Sequence, residues 1–519
     1  MAKSRTLRII LWVVLVASPI ISILIIGLAT NSSIFSLDAW NTTWNDELFY
    51  NRVIRQMRAV GEPTGMAGYN EVPATNPSYG TYSMFIYIPY YLGSLVTGYA
   101  SHNFMYMVNM GFGVLSCLIV ILVLRPNVRE TLLSIGFVAL YFIIARFLCS
   151  GMTEGSYVLF AAIFISCAIY ATKNADDPGK KRLVVTALIV MIVSVGFWGL
   201  MRPYILAFMF VVWIMVARVE FGLQKRQRIA LFCSAIVVCI LAIVIYFYLS
   251  RYYATPYFGN STLGNAFFER LAAGLNDFAS KHVRCVLYSA ARLYHLAWQG
   301  VILFTFAAGW FILLVMFLKS RKKGDRARSS LFLSLLIAGF AIFEAHMCIY
   351  AYQQMHRTML PLVVTYVVVI IWYGSECLKN GKPVVQIAFV TVLAALSIGS
   401  MALWPGDFVL PQTRADRTPE TEAALQAQLE EIMPRADERW DNTLAHIVEY
   451  NNIYLYFNVP LYINTNTLKG DYLQEAVEAG TLKSKYLCIY DGSKRTAIVQ
   501  SHYELVFEGY DHTIYKVRD

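Results

Sequence analysis

The chain has 519 residues, 57% hydrophobic and 15% charged, with a mean hydropathy of +0.52. Soluble domains carry about 25% charged residues, so the composition excludes a soluble globular protein and describes an integral membrane protein. The formal net charge of +10 is spread through short loops and not gathered in a basic soluble domain, which excludes nucleic acid as a partner and reads as membrane topology, because Lys and Arg collect in cytoplasmic loops.

Lys3, Arg5 and Arg8 precede an apolar run over 9–29. Roughly 20 apolar residues span a bilayer, so the run is expected to be an uncleaved helix with the N-terminus inside. Residues 30–103 then form a first outer loop. Within it, Phe49, Val53, Met57 and Val60 recur at helical spacing, which predicts an amphipathic helix over 46–60 lying on the membrane surface. Residues 61–80 are rich in Gly, Pro and Asn and read as irregular loop. The apolar, Tyr-rich stretch over 82–99 is broken by Pro89 and reads as interfacial or re-entrant.

Further spans are expected over 105–124, 132–149, 157–172, 183–200, 204–219, 229–249, 298–318, 331–349, 359–377 and 384–403, about eleven with the first. Every loop assigned inside is basic: Arg125 and Arg129; Lys173, Lys180, Lys181 and Arg182; Arg218, Lys225, Arg226 and Arg228; 319–328; Lys379 and Lys382. A missed helix would invert that pattern downstream. Residues 250–297 form a second, longer outer loop. The division is a transmembrane catalytic region, 1–404, and a small extracytoplasmic α/β domain, 405–519. In that tail a helix is expected over 418–432, strands over 453–463, 485–490, 503–507 and 512–517, and a second helix near 472–479. Most of the nine cysteines sit in apolar runs and behave as small hydrophobes; Cys285 and Cys488 are left over on the outer side.

The titratable residues that need explaining lie on one side. Asp46-Glu47 opens the amphipathic helix, Glu154 stands at the start of the fourth span and Arg202-Pro203 at the outer end of the fifth. Tyr352 to Arg357 form a dense polar turn, with Arg146, Glu344 and His346 near the outer ends of spans. Taken singly, acids at helix starts usually serve as caps, Arg202 reads as an interfacial anchor, and Glu344 with a nearby Arg reads as structural glue. Together they form a one-sided polar site at the membrane edge. A secondary transporter would place ionisable groups at the midplane on repeated halves, whereas one-sidedness suits an enzyme whose substrate is a lipid with a polar head.

Asp46-Glu47-Leu48-Phe49-Tyr50, followed by Ile54-Arg55-Gln56-Met57 and Gly61-Glu62, resembles the first outer loop of GT-C fold membrane glycosyltransferases, the group of the lipid A aminoarabinose transferases and protein O-mannosyltransferases. Glu154 resembles the second acid that opens their fourth span, Arg202 the Arg at the outer end of a middle span, and His356-Arg357-Thr358-Met359-Leu360-Pro361 the late Arg before a Pro-containing helix. Asn76-Pro77-Ser78-Tyr79 departs from the family's His-Pro-Pro run, and Thr358 stands where many members have Tyr.

The resemblance implies a polytopic helical GT-C fold with an outer α/β domain. It also implies inverting transfer of a sugar from a polyprenyl-phosphate donor to a glycan, lipid or protein acceptor. The bacterial cytoplasmic membrane is expected on the same ground. Asp46 is then the general base, with Glu47 and Glu154 assisting. Arg357, His356, Arg202, Tyr50, Arg146 and Glu344 are the substrate-binding candidates, with Lys281, Arg284 and Arg292 of the second outer loop in reserve. Some relatives use a divalent cation, but no ligand spacing here demands one. The competing readings are a carrier or flippase for a polyprenyl-linked glycan and a polysaccharide polymerase or ligase.

Overall fold

A computed structural model describes residues 2–30, 45–61, 67–69, 84–98, 104–253, 277–350, 355–403, 419–434, 436, 441, 443–446, 462–465, 475–476, 478–490, 502–509 and 512–518. The chain divides into two compact units. The first joins Met1–Ile34, Tyr106–Tyr246 and Phe267–Leu410; the second joins Phe35–Met105, Phe247–Ala266 and Pro411–Asp519.

The first unit is helical. Nine helices among the described residues are long and apolar enough to cross a membrane. They are α1 (Ala2–Thr30), α4 (Phe104–Leu124), α7 (Gly155–Lys173), α8 (Lys181–Met201), α10 (Lys225–Tyr253), α12 (Trp298–Lys322), α13 (Arg326–Tyr350), α14 (Met355–Cys377) and α15 (Val384–Leu403). The pair α5 (Val128–Leu140) and α6 (Phe142–Leu148) is long and apolar enough only when taken together, and it is bent by 62°, as a broken span or a re-entrant loop is. The bend falls at Tyr141, whose backbone leaves the helical region (φ −86°, ψ 80°) and whose hydroxyl lies 3.1 Å from Thr305 Oγ1 on α12.

The stretch expected to span over 204–219 is instead a 3₁₀ turn, Pro203–Phe208, running into the short α9 (Met209–Arg218). It belongs with the apolar helices shorter than a span. The amphipathic α11 (Phe278–Tyr294) lies in the second expected outer loop. The core sits around α14, whose apolar window is wholly buried, whereas most of the α10 window is exposed. In a membrane protein the exposed apolar faces are the lipid-facing ones; α14 has none among its described residues.

In the second unit, α2 (Asn45–Val60) covers the expected 46–60 helix, and α3 (Ile88–Thr97) follows a short 3₁₀ turn. The α2 helix buries Glu47, Tyr50, Asn51 and Ile54, which recur at i, i+3, i+4 and i+7 and so share one helical face. Arg58 of α2 donates to Ser94 Oγ of α3 at 3.0 Å and lies over the Tyr91 ring.

The tail contributes α16 (Pro419–Ile432) and five strands: β2 (Thr443–His446), β3 (Tyr462–Thr465), β4 (Tyr486–Tyr490), β5 (Tyr503–Gly509) and β6 (His512–Val517). A sixth, β1 (Ala67–Tyr69), comes from the first loop and pairs parallel with β3, giving the sheet order β1-β3-β2-β4-β6-β5. Pairing is parallel from β1 to β4 and antiparallel from β4 to β5. Ala445, Leu487, Ile489, Tyr503 and Tyr515 form its core with Ala476 and Leu482. The expected strands over 485–490, 503–507 and 512–517 are present, while residues 453–461 lie outside the described residues. Neither Cys285 nor Cys488 is in a disulfide.

Candidate functional site: a buried carboxylate between two guanidiniums

Three elements of the helical unit bring their ends together. The first is the connection from α6 to α7. Ser150 Oγ donates to Phe147 O at 2.9 Å and accepts from Met152 N at 3.2 Å, and Ser156 Oγ donates to Thr153 O at 2.9 Å. Asn109, buried on α4, clamps the same turn from outside. Its Nδ2 donates to Ser150 O at 2.6 Å and to Met152 O at 2.9 Å. Gly155 makes room for this clamp, because a Cβ there would collide with the Asn109 side chain. The turn ends at Glu154, the residue that precedes α7, and its carboxylate is 1% exposed.

The second element is the end of α8. Pro203 disfavours the helical region for the residue before it, and Arg202 adopts an extended backbone (φ −145°, ψ 108°). The helix therefore stops, and the side chain reaches α7. Arg202 Nη2 lies 3.3 Å from Glu154 Oε1, and Nε donates to Tyr157 Oη at 3.1 Å. The third element is the first turn of α14, where Arg357 Nε donates to the same Glu154 Oε1 at 2.6 Å. Two guanidiniums thus converge on one carboxylate oxygen, and Glu154 also sits at the N-terminus of α7, where the helix dipole favours negative charge. Burial by itself raises the Glu154 carboxyl; Arg357 and Arg202 outweigh it and hold it below the usual carboxylate range.

Around this group, Thr358 Oγ1 and His346 Nδ1 share a hydrogen bond of 2.8 Å. The His356 ring stacks with Phe147, centroids 6.0 Å apart, and meets Trp298 edge-on at 4.3 Å. Arg146, Arg357 and His346 lie within electrostatic range of His356, and Arg146 is 8% exposed. Glu154, Arg202, Arg357, His356 and Arg146 therefore gather at one end of the helical unit.

Glu344 pairs not with an Arg but with His282 of α11, at 3.0 Å. Asp46, Glu47 and Tyr50 lie on α2 in the second unit. The Asp46 side chain lies outside the described residues; Glu47 is 1% exposed and Tyr50 is fully buried, edge-on to Tyr87 at 6.0 Å. Lys281, Arg284 and Arg292 all fall on α11.

Sequence reasoning missed Tyr157, Asn109, Thr358 as the His346 partner, and Trp298. A polar Asn inside the apolar stretch of α4 was the one available signal. Among the described residues no group of three or more His, Cys, Asp or Glu could hold a metal ion, and a carboxylate enclosed by two guanidiniums suits an anion better than a divalent cation.

No family model matches the sequence, and no curated protein does. Solved structures do match. The crystal structure of the Archaeoglobus fulgidus oligosaccharyltransferase in complex with Zn and sulfate has a TM-score of 0.54 at 16% identity, over 97% of this chain and 73% of that one. ArnT from Cupriavidus metallidurans in the apo state has a TM-score of 0.52 at 15% identity, over 95% of this chain and 96% of that one. The same ArnT bound to undecaprenyl phosphate has a TM-score of 0.50 at 13% identity, over 96% and 97%. The architecture is therefore the GT-C fold, shared with these structures. Within it, the chain resembles both an oligosaccharyltransferase and ArnT in fold.

Proposed function

We propose that the chain is an inverting glycosyltransferase that moves a sugar from a polyprenyl-phosphate donor to an acceptor hydroxyl or amide of a cell-envelope glycan, lipid or protein, on the outer face of the membrane. The observation that carries this reading is the convergence of Arg202 and Arg357 on Glu154. These three residues together bear one net positive charge in a buried setting, the character needed beside a phosphate leaving group. Two solved structures of the same fold hold lipid phosphates: ArnT with undecaprenyl phosphate, and the archaeal oligosaccharyltransferase AglB with a dolichol-phosphate and an inhibitory peptide.

In this scheme the acceptor oxygen or nitrogen attacks the anomeric carbon as the carbon–oxygen bond to the lipid phosphate breaks. The electron pair of that bond stays on the phosphate, and Arg357 and Arg202 stabilise the charge developing there. Glu154 fixes both guanidiniums before substrate arrives, so little reorganisation is required during the reaction. The acceptor proton passes to a carboxylate acting as general base, assigned to Asp46 on its resemblance to the family's first-loop acid. Tyr157 holds the Nε edge of Arg202, leaving the geometry of that guanidinium determined at two points.

The test is a deletion strain complemented with wild type, Asp46→Asn or Arg357→Met, with envelope glycans, lipids and proteins compared by mass spectrometry. Wild type is expected to restore a sugar that both variants fail to attach, while native mass spectrometry shows Asp46→Asn still retaining polyprenyl phosphate. Full restoration by Asp46→Asn would overturn the base assignment and favour a carrier for the lipid-linked glycan.

A further inference from the structure

The helix α11 has a feature that the transfer reaction does not use. Val283, Val286, Leu287 and Tyr294 are 58%, 67%, 65% and 85% exposed. Their spacing of three, four and eleven residues from Val283 places them on one stripe of the helix. Off the stripe, two residues fix the helix to the protein. Cys285 is buried, and His282 pairs with Glu344 of α13. The helix carries Lys281, Arg284 and Arg292 and no Asp or Glu between Phe278 and Tyr294.

Depth is set at both ends. Tyr294 stands four residues before Trp298, the first residue of the span α12, and His282 is tied to Glu344 in the last turns of the span α13. Both ends of α11 are therefore held at the level where two spans end. That end is also the site end, since His346, two residues beyond Glu344, bonds Thr358 next to Arg357. A helix held there lies along the boundary between acyl chains and headgroups. An exposed apolar stripe, with Arg284 at its flank, Lys281 and Arg292 on the face away from it and no Asp or Glu on the helix, is the composition such a location selects.

We propose that α11 is an in-plane anchor that beds its apolar stripe in the leaflet at the site end and binds anionic phospholipid headgroups through Lys281, Arg284 and Arg292. The cations supply the preference for anionic lipid, since each Lys or Arg near an anionic surface adds attraction, and the stripe supplies the insertion. The anchor keeps the end of the helical unit that carries the Arg202–Glu154–Arg357 cluster at headgroup depth.

The test is hydrogen exchange of the full chain in nanodiscs holding one protein each, made from phosphatidylcholine alone or mixed with phosphatidylglycerol. Amides of α11 are expected to exchange roughly tenfold or more slowly in the anionic discs, the scale of a few cations at an anionic surface. The variant Lys281→Gln/Arg284→Gln/Arg292→Gln is expected to lose the difference between the two lipids while α13 keeps its protection, which reports an intact fold. Val286→Asp/Leu287→Asp is expected to speed exchange of α11 in both discs. Equal exchange in the two lipids, or a lipid dependence that survives in the triple Gln variant, overturns the proposal. Protection found only in discs carrying two proteins would assign the stripe to a second copy and likewise overturn it. The readout involves no sugar transfer, so it stands apart from the proposed reaction.

Discussion

The two ends of α14 carry the same chemistry in opposite settings. At its first turn Arg357 joins Arg202 on Glu154, with side chains 9%, 10% and 1% exposed. Near its last turn Glu376 meets Arg328, which also holds Asp325 at 3.1 Å, and these side chains are 50%, 33% and 33% exposed. Arg328 lies over the Tyr373 ring at 5.1 Å, and Lys323 donates to the Glu376 carbonyl at 3.2 Å. The exposed group is screened by water and salt and acts as a staple between helix ends. The buried one is neither screened nor cheaply rearranged, and such groups cluster where charge must be held ready for chemistry. Solvent access, not residue type, separates a staple from a candidate site.

Breaking the buried end gives the largest effect expected. Glu154→Gln leaves two guanidiniums facing each other and should destabilise the fold by about 3–5 kcal/mol, read by thermal unfolding in detergent or nanodiscs. Replacing the whole set, as Glu154→Leu/Arg202→Met/Arg357→Met, should recover most of that stability, because removing every charge removes the uncompensated one. The recovered protein should still lack transfer. A triple variant as unstable as Glu154→Gln would contradict this account of the charge.

Acid sharpens the same contrast. The folded Glu154 carboxyl is held below the usual carboxylate range, so its contribution to stability is complete above its unfolded value and is lost as pH falls through the folded one. Wild type should therefore lose stability on acidification below the ordinary carboxylate range, and the Glu154→Leu/Arg202→Met/Arg357→Met variant should show a shallower loss in the same unfolding series.

The support of the buried end comes next. Gly155→Ala forces a Cβ into buried Asn109, which overpacks the turn and should cost about 1–3 kcal/mol. Adding Asn109→Ala should relieve the collision while losing the two hydrogen bonds to Ser150 and Met152. A double variant no better than Gly155→Ala would place the strain elsewhere. The smallest change is expected at the exposed end, where Arg328→Met should cost less than about 1 kcal/mol. That cost should shrink in high salt, a dependence that Glu154→Gln should not share.

Much of the helical layout was legible in the sequence because length and apolarity alone qualify a span. The expected segments at 105–124, 359–377 and 384–403 agree with α4, α14 and α15 within a residue or a few. The 204–219 segment is apolar but follows Pro203, and its first five residues belong to the 3₁₀ turn Pro203–Phe208 instead of a full helix. The tail strands over 503–507 and 512–517 were legible in the sequence and are present as β5 and β6. The strands β1 and β2 were not, being three and four residues long and defined by pairing, β1 with β3 and β2 with β3 and β4.

Glu154, Arg202 and Arg357 were each visible as costly residues at the ends of apolar runs. Their meeting on one carboxylate oxygen was not, because Arg357 lies 203 positions from Glu154 and Arg202 lies 48. The exchange of an expected Arg for His282 at Glu344 has the same cause. The sequence by itself determined that this is a polytopic membrane protein and which residues are expensive to place in it, since transfer of side chains into a bilayer is a local property. Only the tertiary structure decided which of those residues meet and which are shielded from water, because burial and charge pairing depend on helices brought together from distant parts of the chain.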